Sequence, residues 1–569
     1  MARLSLPLPN QLSLPTLSAV RGRFAPWQWA KGLRLPILIA GLVIAPIALL
    51  VLELLTPNWA LWEQLWGTIL PTMLMNTLML VVGVGIGTTL IGAGAAYLVT
   101  AYDFPLRTWL DKLLLLPLAV PTFVMGFVFM ALLDYAGPVQ TWWRASFGED
   151  AFFPEIRSAG GVIVVMTLVL YPYVYVLARA AFREQSATTV EAARTLGLSR
   201  WQAFWRLILP LARPSIAAGA VLAMMEALTD YGTVKFYSFP TLSEGIVRVW
   251  EVRGDRASAT ELASLLLLFA LGMIFLERAL RGKARYYQQG GGVKGRRPLA
   301  HTLTGWKAWT ATALCSGLLL LAFVIPVGQL LQWTLAELNK QTTSGWQEVY
   351  FQYIGNSMSL AGVAAIVVVL AALVLAQGLR SGVGKQRRWT RWLARTANLG
   401  YAMPGAMVAV GVLLLLAPLD HSINRLALDL GLQRPGLILT GTMIGLIYAY
   451  VVRFMAVGYN SVDSSLEKIT PNMEHAARTL GARRWRVLFR VQAPLLSAGM
   501  AAGAVLVFVD VMKELPATLL LRPFGMDTLA LWTYFLASES FWQAAALPAV
   551  TIVLVGLVPV ILLLRVGRQ

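Results

Sequence analysis

Ten stretches of this 569-residue chain are apolar over a length that matches the hydrocarbon core of a bilayer, which needs about 20 residues of helix. They are Ile37–Leu55, Leu74–Leu98, Lys112–Leu133, Gly160–Ala180, Ala259–Leu280, Ala308–Leu331, Ser357–Ala376, Leu399–Ala417, Leu437–Val457 and Ala544–Leu564. Two more, Ser215–Leu228 and Ala498–Met512, are shorter and carry carboxylates. In hydrocarbon each backbone N–H and C=O has to be paired within the structure, so runs of this kind are read as helices. The expectation is an all-α polytopic membrane protein with twelve transmembrane helices. Only 13% of the residues are charged, where a soluble domain would carry about a quarter.

The first apolar run starts near Leu35, behind a basic tail dotted with proline, and has full span length. It therefore reads as a retained anchor rather than a cleaved secretory signal. The formal charge of +19 raises nucleic acid as a partner, but its placement argues otherwise. Arg3, Arg21, Arg23, Lys31 and Arg34 crowd the N-terminal tail, and further clusters occupy 278–307, 380–395 and the end of the chain. With twelve spans all of these fall on one side, whereas the opposite loops at 56–69 and 135–158 are acidic or nearly neutral. That is the positive-inside bias, which puts both termini in the cytoplasm of a cell bounded by an inner membrane. The single cysteine, Cys315, lies in an apolar run and excludes a disulfide framework.

A second regularity divides the chain. EAARTLGLSRWQAFWRLILP runs from Glu191 to Pro210, and HAARTLGARRWRVLFRVQAP follows from His475 to Pro494, an offset of 284. Asn76 opens the second span as Asn356 opens the eighth, Pro121 is matched by Pro404, and LYPYVYV at 170–176 by IYAYVVR at 447–453. The chain is a duplication, and six spans per half make the repeats parallel. The expected organisation is a cytoplasmic tail at 1–34, a first repeat at 35–280 with its polar loop at 184–213, a linker at 281–306, and a second repeat at 307–569 with its loop at 467–497. The linker is rich in Gly, Lys and Arg. The small-residue stretch Gly83–Ala96 suits close helix packing.

Within the repeated loop, Ser186–Leu196 reads as a helix ended by Gly197, and Ser199–Ile208 as a second helix stopped at Pro210. Gly481 and Pro494 repeat the plan, with Arg200, Arg206, Arg484 and Arg490 turned outward. Two matched basic helices on one face suit docking on two copies of one partner.

These residues resemble the signature loop of bacterial ATP-binding-cassette importer permeases, and the whole chain resembles the fused, two-loop permeases of ferric-iron importers. Glu191, Ala192, Ala193, Gly197, Leu207, Leu209 and Pro210 carry the pattern in the first copy. In the second copy Ala476, Ala477, Gly481 and Pro494 follow it, but His475 replaces the glutamate and Ala493 precedes the proline. The resemblance implies a type I importer fold in which this loop couples to two copies of a cytoplasmic ATPase. It also implies a periplasmic binding protein that delivers the cargo. ATP and Mg²⁺ would be bound by the partner subunits, since GLRSGVGKQ at 378–386 has neither the spacing nor the hydroxyl of a phosphate loop. The chain itself is expected to hold no cofactor and to be no enzyme.

Just beyond each loop stand Glu226 with Asp230 and, 284 residues on, Asp510 with Glu514. At i and i+4 each pair shares a helix face. Ionisable groups in a span are functional candidates, and hard cations take oxygen ligands, so these four suit transient contacts of a ferric ion. The competing reading is structural, with Lys235 and Lys513 close enough in sequence to neutralise them. LTDYGTV at 228–234 and the segment Met512–Glu539 carry the resemblance to iron permeases, while thiamine and phosphonate permeases share the architecture. An ion-coupled secondary carrier is the alternative from another class, and has no need of two matched docking helices. His301, His421 and His475 are scattered, as surface residues would be.

Overall fold

In the computed structural model of the protein, the described residues are 26–184, 195, 197–281, 301–340, 346–380, 400, 403–469, 471–482 and 484–566. Among them, twelve helices are long and apolar enough to cross a membrane. In the first half these are Leu35–Leu55, Leu70–Ala101, Thr122–Phe147, Ala159–Glu184, Trp201–Thr229 and Arg256–Leu280. In the second half they are Trp306–Lys340, Gln347–Gly378, Gly405–Asp429, Met443–Leu466, Arg490–Met512 and Trp542–Leu562. They are called spans one to twelve below. The fold is that of an all-α polytopic membrane protein, and the duplication is visible in its hydrogen bonds as well as its helix order. Asn76 donates to the Pro240 carbonyl and Asn356 to the Asp527 carbonyl, both at 3.0 Å. One residue later, Thr77 accepts the Leu242 amide and Ser357 the Leu529 amide, at 3.0 and 2.8 Å.

In each half the second, fourth and fifth helices form a three-helix core: spans two, four and five, and spans eight, ten and eleven. The small residues of span two make this possible. A Cβ on Gly92 would come within 2.7 Å of the Tyr171 carbonyl oxygen, and one on Gly219 within 2.7 Å of the Val174 Cα, so both crossings are backbone against backbone.

The halves are interlocked rather than stacked. Span one packs on spans eight, nine and ten, and Ala40 and Val43 are buried with Val369 and Ala372 of span eight and Met455 and Val462 of span ten. The Tyr448 hydroxyl fixes this seam by donating to the Leu42 carbonyl at 2.6 Å. Span seven makes the reciprocal contact, Thr312 donating to the Pro105 carbonyl at 3.0 Å. The segment after the linker joins it, with His301–Thr302 pairing in parallel with Tyr102–Asp103. His301 is therefore a strand residue, and His421 stands on the helix of span nine rather than in a loop.

Three expectations about helices are corrected. The run at 112–133 is not one span: it divides into a helix Arg107–Leu113, a 3₁₀ turn Leu116–Ala119 and a helix Thr122–Leu133. Pro117 and Pro121 cause this, since each removes an amide donor from the ladder. The helices after Gly197 and Gly481 do not stop at Pro210 and Pro494 but continue into spans five and eleven. Just before each proline the helix takes one π turn, at Phe204–Ile208 and Leu488–Gln492. In the first, the Leu209 amide reaches back five residues to Phe204. The register shifts there, so the missing proline donor falls where the ladder is already interrupted. Spans five and eleven consequently have 29 and 23 residues, not the short lengths that apolarity alone gave.

Candidate functional site

The two repeated loops present a matched turn. Gly197 and Gly481 have φ of +82° and +78°, the left-handed region. In the second copy the helix Pro471–Thr479 ends as a Schellman motif, with the Ala482 amide donating back to the Ala477 carbonyl at 3.0 Å. Ala476 is exposed there, Ala477 half-buried, and His475 lies on the same helix. Arg206 and Arg490 are exposed, as are Trp201 and Trp205. Glu191, Ala192 and Ala193 lie outside the described residues. The approach to the first loop is anchored by buried Asp111, whose carboxylate accepts from Arg179 at 3.0 Å and Arg183 at 2.7 Å. The Tyr175 hydroxyl, donating to the Asp111 carbonyl at 2.9 Å, completes the anchor.

Where the halves meet, a cavity of ≈ 120 Å³ is lined by Glu226, Asp230, Asp510 and Glu514 together. Sequence spacing proposed all four, and the tertiary structure brings them to one place. It also gives them different surroundings. Span five ends at Thr229, and Asp230 has extended backbone, φ −66° and ψ 134°. Asp230 is thus past the helix end and off the Glu226 face, as Glu514 is past the end of span eleven at Met512. Each caps the short helix that follows. Asp230 accepts the amides of Thr233 and Val234 at 2.9 and 3.3 Å, and the hydroxyls of Thr122 and Thr233 at 2.5 and 3.0 Å. Glu514 accepts the Ala517 amide at 3.1 Å and pairs with Arg453 at 3.1 Å, a contact almost closed to solvent. These are the bonds a buried charge requires.

The other two carboxylates face the cavity. Asp510 is 2.9 Å from the Lys513 ammonium, and this pair is half-open, with side chains 22% and 32% exposed. Glu226 is half-buried, and its carboxylate makes no hydrogen bond or ion pair among the described residues. Lys235 does not neutralise the carboxylates of span five; it stands 3.7 Å from Glu244, which also pairs with Arg248 at 3.5 Å. Among the described residues no three acidic, histidine or cysteine side chains converge tightly enough to hold a metal ion.

Aromatic side chains from both halves pack together next to Tyr231, which lines the cavity. The Tyr231 and Tyr534 hydroxyls hydrogen-bond at 2.8 Å, Phe236 packs on Tyr534 with centroids 5.7 Å apart, and Phe127 stacks on Trp542 at 6.2 Å. Tyr231, Phe236 and Tyr534 belong to the segments joining spans five to six and eleven to twelve, on the side of the chain opposite the repeated loops. Sequence reasoning missed Thr122, Tyr231, Tyr534 and Arg453. Only the match of Arg453 to an apolar counterpart, Val176, hinted at the last.

A duplicated bundle of membrane-length helices, with a charged cavity where the halves meet and a matched glycine turn in each half, is the architecture of a membrane transport permease. The chain belongs to the family described as binding-protein-dependent transport system inner membrane component, whose pattern matches twice, at residues 88–276 and 375–568. It is thus an ABC-type permease and a multi-pass inner-membrane protein. It is 27% identical over 501 residues to the Fe(3+)-transport system permease protein FbpB 2 of Haemophilus influenzae, covering 88% of this chain and 91% of that one. A putative ferric transport system permease protein, FbpB 1, of the same organism is 24% identical over 78% of this chain and 69% of its own. The sulfate transport system permease protein CysT of Escherichia coli is 29% identical over 250 residues, which is 42% of this chain and 88% of that protein.

Proposed function

We propose that this chain is the permease of an importer for ferric iron. It would receive the ion from a periplasmic binding protein and be driven by two copies of a separate ATPase subunit, which bind ATP and Mg²⁺. The observation that carries the cargo is the cavity. Four carboxylates face two basic groups, and both basic groups are already paired with acids of the second half. A passage with this balance attracts a cation. At ≈ 120 Å³ it suits a hard ion and is well below the ~300 Å³ at which pockets for organic molecules such as thiamine begin. The fused layout points the same way, because the ferric permeases align along both halves and CysT along 42% of this chain.

In this reading the repeated loops are the docking surfaces, formed by Glu191, Ala192, Ala193, Gly197 and Pro210 in one and His475, Ala476, Ala477, Gly481 and Pro494 in the other. They lie with both termini on the cytoplasmic side, where the basic residues collect. His475 in place of a glutamate makes the two docking contacts unequal. The chain recruits its motor and hydrolyses no ATP. Reconstitution in liposomes with an ATPase subunit tests this: a ferric-loaded binding protein should stimulate hydrolysis and ⁵⁵Fe uptake. Stimulation by a sulfate-loaded binding protein instead would overturn the cargo assignment, and failure to bind any ATPase would overturn the class of mechanism.

A further inference from the structure

The pseudo-twofold symmetry that relates the halves is broken in the charges of the cavity. Both basic groups come from the second half. Arg453 stands where the first half has Val176, and Lys513 where it has Thr229. The first half therefore gives Asp230 hydroxyl and amide donors and, among the described residues, leaves the Glu226 carboxylate without a hydrogen bond or ion pair, whereas the second half supplies a cation to each of its acids. The two cations are not equivalent. Arg453 and Glu514 are 13% and 5% exposed and locked further by the Ala517 amide. Lys513 and Asp510 are the open pair, held on one side chain contact, with Glu226 lining the same cavity.

Resting on the reading of a cationic cargo, we propose that Lys513 is a specificity-determining residue. Its ammonium is a tethered cation 2.9 Å from Asp510, in the cavity that Glu226 also lines, and an incoming cation must displace it. A tethered ammonium on a flexible four-carbon stem is a compact point charge that can swing away. It competes as if present at high local concentration, since linkage makes its contact intramolecular. Displacing it costs every cation the same amount, and a monovalent ion gains no more from a carboxylate than Lys513 already does. A di- or trivalent ion gains two or three times the Coulomb energy at the same distance and enters where that gain outweighs its larger dehydration cost. The cavity thus sets a threshold for entry with a device contributed by one half only.

The test uses Tb³⁺, a hard trivalent probe, on the purified full-length chain, with Tyr173 and Tyr231 of the cavity wall as sensitisers of its luminescence. Lys513→Met is expected to tighten Tb³⁺ binding at least tenfold and to raise K⁺ affinity by the same factor. Lys513→Arg, which keeps a tethered cation, should leave both affinities low. A change in packing alone would lower the melting midpoint without tightening the binding of either ion. If Glu226→Gln weakens Tb³⁺ binding while Lys513→Met leaves both affinities unchanged, the cation passage stands and the role of Lys513 falls. If Tb³⁺ binds none of the variants, or binds all of them alike, the reading of a cationic cargo fails and this inference with it.

Discussion

The docking role proposed for the two glycine turns can be tested one atom at a time. At Gly197 and Gly481 the backbone is left-handed, and a Cβ built on either meets no atom within 4 Å. Replacement by alanine therefore meets no steric obstacle inside the protein; its cost is the conformational one of a left-handed L-residue, about 1 kcal/mol. That corresponds to about a fivefold loss of the docking-competent turn in each loop, since 1.4 kcal/mol is tenfold. The loops are remote from each other, so the double variant should lose about twenty-five-fold. Asparagine tolerates this region and valine resists it most, so the expected order is Gly, Asn, Ala, Val. The assay is the affinity of the ATPase subunit for the reconstituted permease, read together with ATPase coupling, while the thermal midpoint of the bundle stays within a few degrees. Unimpaired coupling in Gly197→Val with Gly481→Val would refute the docking assignment. Asparagine failing as badly as valine would refute the backbone argument and leave a clash with the partner as the cause.

Three further outcomes follow from the packing. Arg453→Met strands buried Glu514 and should destabilise the protein by about 3–5 kcal/mol, with much of this regained by adding Glu514→Leu, as read by thermal unfolding in detergent. Gly92→Val should abolish folding, because its Cβ would lie 2.7 Å from the Tyr171 carbonyl, whereas Gly94→Val, two residues on with no atom within 4 Å, should express and elute normally. Asp111→Asn removes the charged acceptor of Arg179 and Arg183 and should cost about 2–3 kcal/mol, with protease cleavage after Arg183 rising and the second loop unaffected.

Much of the architecture was legible in the chain because burial in hydrocarbon leaves a strong one-dimensional signal. Twelve spans, the duplication and the glycine turns were all read from apolar run length and spacing. Span limits were read less well where proline intervenes. Pro117 and Pro121 break a run whose composition is uniformly apolar, while Pro210 and Pro494 fail to break helices that a π turn carries past them. Whether a proline ends a helix depends on what the neighbouring backbone can rearrange, which composition does not record. Glu226 with Asp230 was legible as a pair, but an i,i+4 relation holds only while the helix continues, and it ends at Thr229.

By itself the sequence determined that this protein is a duplicated twelve-span bundle with a matched polar loop and glycine turn in each half. Those properties follow from local composition and periodicity. Only the tertiary structure decided that span one packs on the second half and span seven on the first, so that neither half closes its core alone. It alone also sorted four similar carboxylates into two helix caps, one paired acid and one free acid. Charge spacing is a property of the chain, but the donors that neutralise a charge arrive from elsewhere: Thr122 from 108 residues away for Asp230, and Arg453 from another span for Glu514.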